Sequence, residues 1–317
     1  VKCPAKRPFF LKITFGAFLS TMTFTIAHLG PAGTYAEQAA LAYAQWWSNQ
    51  TQHPVPQLVP LPSIAQTLYA VAQGRTEAAV VPIENSIEGS VTMTLDTLWQ
   101  LETLQIRQAL ELPIVHVLAA QAEALNAIGM VYSHPQALGQ CQQWLRENLP
   151  HAQQIPTPST TEALKYVGRE GAAAIASEHA AHLYGLPILA KSIQDYADNC
   201  TRFLVVTQPQ SSIVIPKIEG APVYTSLAFS LPQNVPGALV TQLQAFAARN
   251  INLSKIESRP TKRSLGEYVF FIDAEAAFAT EPMQSAIDLL NRVAEKLKVL
   301  GTYSTVQILS TAAETQP

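Results

Sequence analysis

Four short polar segments carry the side chains from which chemistry could be built: GPAGTY at 30–35, PIENSIEGS at 82–90, YSHPQALGQC at 132–141 and DNCTRF at 198–203. Each follows or ends a β-rich run, and in α/β folds ligands gather at the carboxyl ends of strands. What they offer is uncharged. There are the hydroxyls of Thr34, Ser86, Ser90, Ser133 and Thr201, and the carboxamides of Asn85, Gln136 and Asn199. Backbone N–H groups at helix starts add to them. Donors of this kind suit a small anion with several oxygens. Any single segment reads equally well as helix caps and turns, where Ser, Asn and Gly serve only the backbone. Four at strand ends strain that reading.

Other chemistries find little support. The chain has no GxGxxG, no GxxxxGK[ST], no HExxH and no GxSxG. EHAAH at 178–182 places Glu178, His179 and His182 near one helical face. A metal site usually needs a further ligand and supporting partners, so a solvated face is the plainer reading and no metal is expected. Cys200 has no His near it in sequence to activate it, and Cys141 reads as packed inside its helix.

These segments must be held by a sizeable core. The 317 residues suggest about two domains. Hydrophobic residues make up 48% and charged residues 14%, a balance opposite to that of disordered chains. A net charge of −3 excludes a broadly basic nucleic-acid-binding surface. Cys3, Cys141 and Cys200 are scattered, giving no disulfide framework. A soluble protein of a reducing, cytoplasmic compartment is expected. At the start, Lys2, Lys6, Arg7 and Lys12 precede an apolar stretch that resembles a secretory signal but is too short to span a membrane. That stretch overlaps a core strand beginning near Thr23, so residues 1–22 are expected to be an extension upstream of a start near Met22.

From residue 23 to 207, strand-like runs alternate with amphipathic helical patterns, which argues α/β with mostly parallel sheets. Residues 208–221, rich in proline and serine, read as a linker. Residues 222–310 follow a different order, β-α-β-β-α-β, the ferredoxin-like plan. Residues 311–317 read as a tail.

In this order and spacing, GPAGTYAEQAA, VPIENSIEGSV, SHPQALGQC and DNCTRF resemble the catalytic signatures of the prephenate dehydratase family. GALV at 237–240 and KIESRP at 255–260 resemble the family's regulatory ACT-domain signatures. The resemblance spans roughly Phe24 to Leu309. It implies a two-lobed catalytic domain similar to periplasmic solute-binding proteins, one lobe formed by 23–100 with 190–207 and the other by 101–189, the site lying between them. It implies conversion of prephenate to phenylpyruvate, with no cofactor and no metal. The resemblance makes Thr201 the essential threonine, and we read its role as hydrogen-bond donation to the departing hydroxyl. Thr34, Asn85, Ser86, Ser133, Gln136 and Asn199 would hold the substrate's carboxylates and keto group. Arg202 would either bind a carboxylate or pair with an acid such as Glu84. Gly237, Ala238, Leu239, Glu257, Ser258 and Arg259 would bind phenylalanine at an interface between ACT domains, which implies a homodimer or dimer of dimers. Arogenate dehydration and non-catalytic solute binding are the rival readings.

Overall fold

The computed structural model describes residues 24–308. The expected leader, Cys3 and the tail lie outside them.

Three α/β units follow from the pattern. The first sheet takes, in spatial order, Gln57–Leu61, Thr25–Leu29, Ala78–Asn85, Cys200–Thr207 and Gln105–Pro113. Its central strands are mostly apolar away from the cleft end, as in Ala78–Val81 and Phe203–Val206, because both faces are covered there. Ala79, Val81, Leu204 and Val206 pack on one face with Leu68 and Val71 of the helix Ile64–Ala72. Ala78, Val80, Phe203 and Val205 pack on the other with Ala39, Ala40 and Tyr43 of the helix Tyr35–Thr51. That is period-two alternation read out as two separate cores.

A second, five-stranded sheet comprises Ile188–Ala190, Val117–Ala120, Ala172–Ala176, Met130–Ser133 and Gln153–Pro156. The chain crosses between the two lobes at 114–116 and again before Cys200. Two expectations are corrected here. Gln105–Pro113 lies in the first sheet, paired with Cys200–Thr207, so the second lobe's sheet begins at Val117 rather than at residue 101. The sheets are also mixed. Cys200–Thr207 runs antiparallel to both neighbours because it returns from the other lobe.

The third unit has the anticipated β-α-β-β-α-β order: Val223–Ser230, Ala238–Ala247, Leu253–Pro260, Tyr268–Ala274, Glu281–Val293 and Lys296–Gln307. It is fused to the first sheet. Lys296–Gln307 pairs with Val223–Ser230 over its first part, and its residues Thr305 to Gln307 then pair in parallel with Ala109 to Glu111. Gly301 lies where the strands cross. A Cβ there would sit 2.1 Å from the Ile106 carbonyl oxygen, so only glycine fits. Leu300, Tyr303, Val269 and Phe271 share a core with Ile83, Leu95 and Ile106. Among the described residues, no helix is long and apolar enough to cross a membrane.

Candidate active site

A cleft of about 760 Å³ opens between the two lobes. Its walls come from residues 29–31, 34–36, 62, 64, 82, 85, 88–93, 201 and 203 on one side and 134, 136, 137, 140, 158–160 and 162 on the other, with 114 and 116 between them. Helices aim their first turns at it. Tyr35, Ile64 and Thr92, the first residues of the helices Tyr35–Thr51, Ile64–Ala72 and Thr92–Gln100, all line the cleft. So do Gln136 and Thr160, in the first turns of the shorter helices Pro135–Gly139 and Thr160–Leu164 of the second lobe. Helix starts carry free N–H groups and the positive end of the dipole, so this arrangement attracts anions. No Lys or Arg lines the cleft among the described residues; the charged groups there are Glu88 and Glu162. Anion binding would therefore rest on neutral donors.

Thr201 is nearly buried, at 9% exposure, and faces the cleft. Its register partner across the sheet is Asn85. The Asn85 carbonyl oxygen accepts from the backbone N–H groups of Ile87 and Glu88, each at 3.0 Å. This fixes the amide so that Nδ2 donates to Thr201 Oγ1, also at 3.0 Å. Thr201 Oγ1 is thus already an acceptor within the protein, and its own proton meets no acceptor among the described residues, which leaves it available to a ligand in the cleft.

Behind this pair runs a chain of polar side chains. Asn85 Nδ2 also donates to Asn199 Oδ1 at 2.8 Å, and Asn199 Nδ2 donates to Gln140 Oε1 at 2.8 Å. Gln140 Oε1 lies 3.0 Å from His116 Nε2, and His116 Nδ1 lies 3.0 Å from the Tyr35 hydroxyl. Gln140 Nε2 faces Glu88 at 3.4 Å, so Oε1 must be the atom facing His116, and His116 donates from Nε2. Burial lowers the His116 pKa, favouring the neutral ring, and raises that of Tyr35 well above its ordinary value. The chain joins both lobes to Thr201.

The sequence-predicted residues divide. Thr34, Asn85, Gln136 and Thr201 line the cleft; Ser86, Ser133, Asn199 and Arg202 do not. Thr34 caps its helix, accepting from the Glu37 N–H at 3.2 Å and donating to the Leu29 carbonyl at 3.0 Å, so its hydroxyl proton is already committed. Ser86 ties two strand ends together, its oxygen accepting from the Cys200 N–H. Ser133 is fully buried, and its hydroxyl donates to the Ile175 carbonyl at 2.7 Å, which corrects its expected place in the cleft. Asn199, 2% exposed, supports Asn85 from behind. Arg202 points away from the cleft, as alternation after Thr201 demands. It donates to Glu111 at 2.9 Å and lies 3.8 Å from Glu84, so it pairs with acids and does not reach into the cleft.

Sequence reasoning passed over Tyr35, Glu88, His116 and Gln140. Gln140 stands one helical turn beyond Gln136 in the same polar segment, a usable signal. His116 carried none, being flanked by apolar residues. Burial pushes up the thiols of Cys200 and Cys141, which leaves them protonated and inert. Cys141 sits between the helices Pro135–Gly139 and Gln142–Asn148, where one helix was expected. His182 pairs with Glu178, which also holds Lys191, and no group of three or more candidate metal ligands occurs among the described residues.

A second cavity, about 640 Å³, lies on the third unit between the start of helix Ala238–Ala247 and the strands Leu253–Pro260 and Tyr268–Ala274. Gly237, Ala238, Leu239 and Ser258 line it; Glu257 and Arg259 do not. Gly237 has φ +84°, a conformation suited to glycine at this helix start. Glu257 and Arg259 occupy the opposite face of their strand. Ser90 Oγ donates to Glu257 at 3.1 Å, and Arg259 grips Asp96 through Nε at 3.1 Å and Nη2 at 3.2 Å. The six residues therefore do not form one pocket, because alternation in a strand separates neighbours.

Fold and site together define a two-lobed α/β unit with an anion-receiving cleft, fused to a small unit with a groove of its own. Residues 26–211 match the family model for prephenate dehydratase and residues 225–288 that for the ACT domain. The chain belongs to the prephenate dehydratase family. It is 36% identical over 293 residues to the prephenate dehydratase of Bacillus subtilis (strain 168), a match covering 89% of this chain and 99% of that one. A solved prephenate dehydratase from Arthrobacter aurescens, in complex with L-Phe, is 36% identical with a TM-score of 0.76, covering 88% of this chain and 90% of that one. The solved structure of GqqA, described as a novel type of quorum quenching acylase, is 28% identical with a TM-score of 0.72, covering 89% of this chain and 98% of that one.

Proposed function

We propose that this chain is a prephenate dehydratase, a carbon–oxygen lyase in L-phenylalanine biosynthesis, inhibited by phenylalanine acting through its ACT domain. In this reading residues 23–207 are the catalytic domain, 208–221 the linker and 222–310 the regulatory domain. The observation that carries the proposal is the direction of the Asn85–Thr201 hydrogen bond, which leaves a hydroxyl proton available to a ligand in an anion-receiving cleft.

In the reaction the bond from the ring to its carboxylate breaks, and its electrons enter the ring as carbon dioxide leaves. The opposite carbon–oxygen bond breaks, the oxygen takes up a proton and departs as water, and an aromatic ring remains. Aromatisation supplies the driving force. Thr201 is too weak an acid to give up its proton fully near neutral pH, so it stabilises the departing oxygen by donating a hydrogen bond, and solvent supplies the proton. The substrate's two carboxylates are met by the helix starts and by Gln136 rather than by a guanidinium. Acyl transfer is a poorer fit: Thr201 has no base accepting its proton among the described residues, so it is not primed as a nucleophile.

A homodimer or dimer of dimers is supported by the open groove on the third unit and by the exposed Ile256, Val240, Leu265 and Tyr268 around it. A cytoplasmic location is supported by Cys141 and Cys200, both free thiols. The test is turnover by the purified full-length chain. Prephenate should yield phenylpyruvate. Turnover of arogenate alone would move the chain to arogenate dehydration, and binding without turnover of either would leave a solute-binding protein.

A further inference from the structure

We propose that Lys255, contributed by the regulatory unit, is a positioning residue for the catalytic pair: it holds Glu84, and a shift of its strand on ligand binding in the groove is thereby felt at Thr201. The inference rests on the functional reading above and deepens it.

Three observations converge. The strand Leu253–Pro260 has two faces with different neighbours. Ser254, Ile256, Ser258 and Pro260 are exposed, and Ser258 lines the groove. Lys255, Glu257 and Arg259 turn the other way and reach Glu84, Ser90 and Asp96 of the catalytic unit.

Glu257 touches Ser90, which lines the cleft, but only Lys255 touches the residue that adjoins Asn85, the partner of Thr201. Its side chain is 9% exposed, and its ammonium lies 3.3 Å from Glu84 Oε1. It has no hydrogen-bond partner among the described residues, so its charge is balanced by the surrounding acids alone. Glu84 also lies 3.8 Å from Arg202, which binds Glu111, and the partly buried Asp273 lines the same small cavity as Lys255 and Arg202. A buried cation is costly to leave unpaired, so Glu84 must follow Lys255 when the strand moves.

The third observation is register. Glu84 pairs across the sheet with Arg202, and the next rung is Asn85 with Thr201. The pleat turns the first rung toward the regulatory unit and the second toward the cleft. One rung separates the ion cluster from the hydroxyl that is proposed to act on substrate.

The experiment compares the full-length wild type with Lys255→Met and Lys255→Arg. It measures kcat and KM for prephenate, inhibition by phenylalanine, and phenylalanine affinity by calorimetry. Lys255→Met should lower kcat about 10-fold, since small misplacements of reacting groups are costly, while KM stays within about 2-fold. Phenylalanine should still bind within about 3-fold of wild type, yet its half-inhibitory concentration should rise at least about 10-fold. Lys255→Arg should restore both toward wild type. If Lys255→Met does not fold, the charge-neutral double variant Lys255→Met with Glu84→Gln is judged by the inhibition and binding arms. Wild-type kcat and wild-type inhibition in Lys255→Met overturn the proposal, as does loss of phenylalanine binding itself, which would put Lys255 in the effector site. Failure of the wild type to turn over prephenate sinks the functional reading instead. If the wild type is active but insensitive to phenylalanine, the kcat arm alone decides.

Discussion

Two strands of this molecule each serve two neighbours, and they do so differently. Cys200–Thr207 lies inside its sheet, hydrogen-bonded on both edges, with Thr201 turned to the cleft and Arg202 to the regulatory unit. Leu253–Pro260 is an edge strand, with Ser258 turned to the groove and Lys255, Glu257 and Arg259 turned to the catalytic unit. Around the first strand the polar atoms are fastened to one another from Tyr35 to Thr201. Around the second, one face stays open. A central strand fixes its side chains before ligand arrives, which suits stabilisation of departing charge. An edge strand can shift at lower cost, which suits a sensor.

The comparison breaks most severely at the join between the two units. Gly301→Ala forces a methyl group onto the Ile106 carbonyl, so the strand Lys296–Gln307 must shift. We expect a loss of at least about 3 kcal/mol, equivalent to a fall of roughly 6–12 °C in the unfolding temperature measured by calorimetry. An unchanged melt would mean that the regulatory unit is not welded to the first sheet.

A smaller effect separates side chains that serve the fold from those that serve the cleft. Ser133→Ala removes one buried hydrogen bond to Ile175 and should cost about 1 kcal/mol in urea unfolding. Its kcat and KM for prephenate should remain those of wild type. A fall in kcat with unchanged stability would return Ser133 to the site.

Much of this was legible in the sequence, for identifiable reasons. The alternating strands and helices announce themselves through periods of two and 3.6, and each polar segment marks a strand end or a helix start. Those positions are where clefts form, so the neighbourhood of Thr34, Asn85, Gln136 and Thr201 could be named in advance. What escaped was direction. Ser133 and Arg202 stand in the right segments but point away from the cleft, because strand alternation sends adjacent residues to opposite faces. Glu257 and Arg259 part from Ser258 for the same reason. The antiparallel return of Cys200–Thr207 escaped as well, since pairing direction is set by distant chain crossings and leaves no local trace. His116 is a different case: a lone histidine among apolar residues reveals nothing until Gln140 and Tyr35 are folded against it.

The most direct test is the removal of the single hydroxyl at the end of this network, with steady-state kinetics on prephenate for Thr201→Ala and Thr201→Ser. The serine variant should stay within about 10-fold of wild type, while the alanine variant should lose about 100–1000-fold in kcat. KM should change little, because the cleft's helix starts remain in place. A Thr201→Ala enzyme with wild-type kcat would contradict the account.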